Sequence, residues 1–140
     1  MAAGYSGTPL AKKLGIKEGH SVALLGAPHG FVDTLEGLPP AVTLRTSARG
    51  VNDVIVSFHT LRRDLERRVP ALLAALDVDG GLWIARPKKA VYLPTEITEH
   101  TVREVFLPLG LVDNKVCAIS EVWSGIRVVW RVENRRPLHR

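Results

Sequence analysis

The sequence predicts an α/β domain in which a mostly parallel sheet carries helices on both faces and ends in an antiparallel hairpin. Three observations lead there. Apolar runs at 21–27, 54–58 and 82–85 are built from small, branched and aromatic residues at successive positions, the pattern of strands covered on both faces. Stretches with helical spacing lie between runs, the alternation that parallel strands need for their crossovers. The last two runs, 116–122 and 126–132, are separated only by Trp123, Ser124 and Gly125. That is too short for a crossover helix, so they are expected to pair antiparallel.

Taken in order, Thr8 is placed to cap a short helix with Pro9 at its first position and Gly15 closing it after Leu14. Lys12 and Lys13 make that helix basic. The first strand, 21–27, belongs at the sheet centre, and a short amphipathic helix over 31–38 stops at Pro39-Pro40. Residues 41–46 alternate weakly and read as a peripheral second strand, with 47–50 as a loop. Val54, Ile55, Val56 and Phe58 mark a buried third strand over 53–58. Leu61, Leu65, Val69, Leu72, Leu73 and Leu76 recur at helical spacing, and Pro70 in their midst is expected to break or kink the helix. Residues 77–81 read as a turn and 82–85 as the fourth strand, running out into Arg86-Pro87-Lys88-Lys89. A loop at 90–94 precedes a helix capped by Thr95 or Thr98, with Val102, Val105 and Phe106 as its apolar stripe and Gly110 at its end.

Composition bounds the function. A chain of 140 residues that is 46% hydrophobic fills one domain, 1–140, with an N-terminal extension over 1–20 and a basic tail over 134–140. Nineteen Lys+Arg against fourteen Asp+Glu give a net charge of +5, much of it from Arg131, Arg135, Arg136 and Arg140. A solvated basic surface is the plain reading, and nucleic-acid association through Lys12, Lys13, Lys88, Lys89 and the arginines is its alternative. Cys117 is the only cysteine, which excludes an internal disulfide and a cysteine-based zinc site. No apolar run approaches the roughly 20 residues of a membrane span and the first residues lack a signal-peptide pattern, so the expectation is a cytoplasmic protein without membrane contact.

In a doubly wound sheet, ligands sit beyond the carboxyl ends of the strands where strand order reverses. That rule selects Gly26, His29 and Gly30 after the first strand, Thr46 after the second, His59 and Thr60 after the third, and Lys88 and Lys89 after the fourth. Two histidines and two lysines meeting on one edge suit a phosphate or carboxylate, aided by the N-terminus of the helix after Gly30. A nucleotide-type cofactor suits the edge less well. Pro28 removes a backbone donor from the first turn, and the second strand ends in Arg45 and Thr46 where an acidic residue would hold ribose hydroxyls. No cofactor is therefore expected. His29 and His59 are too few for a metal site, and Asp53, Ser57 and His59 share one strand rather than forming a triad from separate elements, so packing and strand-end polarity account for them. Cys117 reads as a buried, inert thiol. Trp123, at the expected hairpin tip, is the exposed aromatic available to a partner, and an unpaired final strand bearing Arg127 and Arg131 favours a homodimer through the hairpin.

The order of strands, with an antiparallel strand after the final helix, resembles the class I methyltransferase variant of the Rossmann architecture, shortened by one strand and helix. Several strings also resemble the domain of unknown function 3052 family of short bacterial proteins. They are Gly4-Tyr5-Ser6-Gly7-Thr8-Pro9-Leu10-Ala11-Lys12-Lys13-Leu14-Gly15, then Trp83-Ile84-Ala85-Arg86-Pro87-Lys88-Lys89, then Leu111-Val112-Asp113-Asn114-Lys115-Val116-Cys117-Ala118 with Trp123-Ser124-Gly125. That resemblance implies a Rossmann-like fold and no mechanism. The reading reached from sequence is a non-catalytic Rossmann-like module, without catalytic residues, that binds a small anionic ligand or a protein partner. Its alternatives are a degenerate or cryptic adenosylmethionine-dependent methyltransferase and a nucleic-acid-associated protein using its basic surface.

Overall fold

A computed structural model describes residues 7–89 and 93–138. Six strands form one sheet: β1 (Ser21–Leu25), β2 (Thr43–Arg45), β3 (Asn52–Phe58), β4 (Leu76–Pro87), β5 (Leu111–Ala118) and β6 (Trp123–Trp130). Their spatial order is β2-β1-β3-β4-β6-β5. β2, β1, β3 and β4 are parallel neighbours, and β6 pairs antiparallel with both β4 and β5. The helices are α1 (Leu10–Lys13), α2 (Arg62–Ala75), α3 (Glu99–Phe106) and α4 (Val132–Leu138). The chain is a single α/β domain of the predicted class, its sheet mostly parallel and ending in an antiparallel pair.

Alternation along the strands divides the core into two layers. Ala23, Leu25, Ile55, Leu82 and Ile84 pack under Leu65, Val69 and Leu72 of α2 and Val102 and Phe106 of α3. Val22, Leu24, Val54, Val56, Trp83 and Ala85 face the other way and meet Leu10, Ala11 and Leu14 with Phe31, Leu35 and Ile119. The segment expected as an extension thus supplies core residues. Trp83 Nε1 donates to the Leu14 carbonyl at 3.1 Å, deep between α1 and the sheet. Residues 134–138, expected in the basic tail, belong to α4, and Arg135 Nε donates to the Trp130 carbonyl.

Several element boundaries differ from expectation, each for a local reason. Pro9 precedes α1 and no side chain caps it, so Thr8 does not act as its cap. The amphipathic stretch after β1 makes one 3₁₀ turn, Val32–Thr34, because only Phe31 and Leu35 are drawn into the core. Pro70 leaves α2 unbroken, since burial of Leu65 and Val69 on one side of it and Leu72 and Ala75 on the other outweighs the missing hydrogen bond. The segment expected as a turn at 77–81 belongs to β4. Glycine permits this, as a Cβ on Gly80 would lie 2.7 Å from the Asp53 carbonyl, and the β3–β4 register shifts between Asn52 and Val54. The hairpin turns at 119–122 and not at 123–125, with Ile119 and Ser120 N–H both donating to the Trp123 carbonyl. α3 starts as expected, where Thr98 and Thr101 form a reciprocal capping box, and the following 3₁₀ turn ends at Gly110 with φ 97°.

The hairpin also alters the expected dimer surface. β6 lies between β4 and β5, so the strand bearing Arg127 is interior to the sheet and β5 forms that edge. Trp123 is half-buried and packs edge-to-face on Phe58, with ring centroids 5.1 Å apart, so it is not a free hairpin tip. Among the described residues, no helix is long and apolar enough to cross a membrane.

Replacing Trp83 with phenylalanine removes the donor to Leu14 and leaves its carbonyl unpaired in the interior. The expected loss is about 2 to 3 kcal/mol in denaturant unfolding, and retention of wild-type stability would contradict the anchoring role of this bond.

Candidate functional site

β1 has β2 on one side and β3 on the other, and this is where the strand order reverses. At the carboxyl ends of β1 and β3 a cleft of about 600 Å³ opens, lined by Gly26, Phe58, His59, Thr60, Asp64, Arg67, Arg68, Ala71 and Trp123. β1 and β3 bring the backbone there, α2 supplies the charged wall, and the start of β6 supplies the indole. Gly26 has φ 68°, and a Cβ there would stand 3.4 Å from the Phe58 carbonyl and 3.8 Å from Arg68 Nη1. Glycine therefore serves two purposes at this position: it permits the left-handed turn and keeps the floor of the cleft open.

His59 is the buried polar centre. Its backbone N–H continues the β3–β4 ladder to the Ala85 carbonyl, and alternation with Ile55 and Ser57 places its side chain on the α2 side of the sheet. Nε2 lies 2.6 Å from Ser57 Oγ, and both residues are buried. Strand alternation brings these two side chains together, and the sequence reading treated them as packing. Burial, followed by the neighbouring Arg68 guanidinium, lowers the imidazole pKa from 6.5 to about 4, with Asp64 opposing. The ring is neutral near pH 7. Next to it across the ladder, Arg86 places a buried Nε without a hydrogen-bond partner.

Of the sequence-selected residues, the structure brings Gly26, His59, Thr60 and Trp123 together at the cleft. His29 and Gly30 are exposed in the turn after β1, Thr46 is exposed beyond β2, and Lys88 and Lys89 follow β4, none of them lining the cleft. The expected convergence of two histidines and two lysines does not occur. Nor does a helix begin after Gly30 to offer its N-terminus, because that segment is a single 3₁₀ turn. The cations come instead from Arg67 and Arg68, which the sequence reading missed along with Asp64 and Ala71. Their signal was present: α2 leaves the third strand at the ligand edge, so its outward positions face the site. Cys117 is half-buried, and burial raises its thiol pKa, in keeping with an inert thiol. No three metal-ligating side chains gather among the described residues.

No family model matches the chain, and no curated protein matches it in sequence. Solved structures do match. A Sulfolobus solfataricus protein assigned as a type 11 methyltransferase aligns with a TM-score of 0.61 at 13% identity, over 89% of this chain and 91% of its own. A SAM-dependent methyltransferase from Aquifex aeolicus gives 0.58 at 15% identity, over 85% and 86%. Magnesium protoporphyrin IX methyltransferase from Synechocystis, solved with bound SAM, gives 0.56 at 11% identity, over 87% and 74%. At such identities the likeness shows the fold, which is that of class I methyltransferases. It also corrects the reading of a non-catalytic module, since the similar structures are methyltransferases and favour the alternative.

Stability reports on His59 directly. Between pH 6.5 and about 4 the unfolded chain binds a proton on this ring that the folded chain refuses, so this contribution to stability is intact above pH 6.5 and is lost as pH falls toward 4. The expected loss is about 2 to 3 kcal/mol relative to a His59→Asn variant, measured by denaturant unfolding across that range. Parallel pH profiles for the two proteins would contradict the neutral buried ring.

Proposed function

We propose that the chain is an adenosylmethionine-dependent methyltransferase whose active site is the cleft between β1, β3 and α2. One observation carries this reading: the cleft lies at the strand-order reversal of a sheet shared with SAM-dependent methyltransferases. The residues fit most of the cofactor. Arg68, beside the open floor at Gly26, suits the carboxylate of its amino-acid end through charge-assisted hydrogen bonds. Phe58 offers aromatic surface for its flat or cationic parts. The ribose end finds no carboxylate at the end of β2, where Arg45 Nη1 is occupied by the Arg49 carbonyl and Asn52 Oδ1. When bound, adenosylmethionine supplies an electrophilic methyl group, and the chain's own residues hold and orient what surrounds it.

The strings quoted above support placing the chain in the domain of unknown function 3052 family of bacterial proteins, and its lone cysteine fits a reducing cytoplasm.

Thermal unfolding with adenosylmethionine tests the proposal. At a concentration about a hundred times the Kd, binding contributes about 2.7 kcal/mol, which corresponds to a rise in Tm of roughly 5 to 10 °C. Arg68→Ala should reduce the rise and Gly26→Val should abolish it. Absence of any shift with millimolar adenosylmethionine, together with no heat of binding by calorimetry, would overturn the assignment.

A further inference from the structure

Hydrogen-bond accounting at Ser57 and His59 determines which ring nitrogen carries the proton. Ser57 is fully buried, and its hydroxyl has His59 Nε2 as its partner among the described residues. If Nε2 carried the proton, Ser57 Oγ would accept it and the serine's own hydrogen would be left without an acceptor in the interior. If Ser57 donates, only lone pairs remain unfilled, which is the cheaper deficit. Ser57 therefore donates to Nε2, and the imidazole proton resides on Nδ1. Among the described residues Nδ1 has no hydrogen-bond partner, yet it is not among the sealed, unpartnered polar atoms. His59 lines the cleft and its Nε2 is taken by Ser57, which leaves Nδ1 as the ring nitrogen available to it.

The surroundings narrow what this N–H meets. Arg67 and Arg68 against Asp64 leave the cleft wall net cationic, and a bound cofactor, whose sulfonium and ammonium outweigh the carboxylate assigned to Arg68, keeps it so, which opposes an ammonium and favours an anionic oxygen. Trp123, edge-to-face on Phe58, adds an aromatic surface to the same space. We propose that Ser57 fixes His59 as its Nδ1–H form and that this N–H binds an acidic oxygen of an aromatic methyl acceptor, a carboxylate or phenolate and not an amine. The acceptor part rests on the methyltransferase reading, whereas the tautomer does not.

Long-range proton–nitrogen NMR on the full chain tests the tautomer without any ligand. A protonated Nδ1 and an unprotonated Nε2 are expected at His59 near pH 7, and the reverse would overturn the proposal. Titration with benzoate, and with benzylamine as its cationic counterpart, tests the acceptor class. Benzoate should perturb the Nδ1 signal and bind at least about tenfold more tightly than benzylamine. His59→Asn, whose amide nitrogen stands near the position of Nδ1, should keep benzoate affinity within about threefold, and His59→Leu should lose about tenfold or more. Equal behaviour of the two variants would reduce His59 to a structural group, and no benzoate binding at tens of millimolar would count against the acceptor class. Benzoate binding without adenosylmethionine binding would leave the site and remove the methyltransferase reading. Adenosylmethionine binding with the opposite tautomer would do the converse.

Discussion

The return of the chain from β2 to β3 within residues 46–51 is the constraint to which the rest of the molecule answers. β1 lies between these two parallel strands, so the link must cross two strand spacings, about 10 Å, and descend roughly another 10 Å to the start of β3. Six residues reach about 20 Å when extended, which suffices only because β2 is three residues long. Side chains hold the link in place. Arg45 Nη1 binds the Arg49 carbonyl and Asn52 Oδ1, and Asn52 Nδ2 binds the Arg49 and Ala75 carbonyls, tying the link to the end of α2. A helix in this crossover would have covered the edge of the sheet, and the short link leaves β2 narrow and partly exposed.

Economy in the first two crossovers shifts the burden of covering the sheet. One 3₁₀ turn after β1 leaves Val22, Leu24, Val54, Val56 and Trp83 needing cover from elsewhere, and α1 provides it from the N-terminal side. The bond from Trp83 to Leu14 then joins a four-residue helix, too short to be stable by itself, to the centre of the sheet. On the opposite face α2 and α3 are full crossover helices, and the cleft's charged wall comes from α2 for that reason. The site is accordingly lopsided. It is well furnished over β3 and sparse over β2, and the same asymmetry leaves the end of β2 without a carboxylate.

The sequence made the central strands legible because two-sided burial leaves an unbroken apolar signature, and the start of α3 because a threonine pair caps it. Boundaries set by non-local contacts were not legible. Gly80 and Gly81 look like a turn in isolation, and only the close passage of β3 turns them into strand. The hairpin followed the same logic: Trp123-Ser124-Gly125 reads as a turn, but pairing of Trp123 with Pro87 and Gly125 with Ala85 draws all three into β6. Site residues divided along the same line. Strand ends followed from topology, hence Gly26, His59 and Thr60, whereas Arg67 and Arg68 depend on the rotation of α2, which Leu65, Val69 and Leu72 fix by burial.

The cationic wall and the neutral histidine are best understood together. A charged imidazole buried beside Arg68 would face both the loss of its hydration and the repulsion of a neighbouring guanidinium, so the fold favours His59 without its second proton near pH 7. Once the ring is neutral, its single proton has a position, and the buried Ser57 hydroxyl sets it. A hydrophobic residue at position 57 would leave Nε2 without a partner, and a carboxylate there would favour the charged ring that Arg68 opposes. Serine holds the ring in one orientation without adding charge. The polar character of the cleft thus follows from packing decisions made inside the sheet, one strand layer below the surface where a ligand would sit.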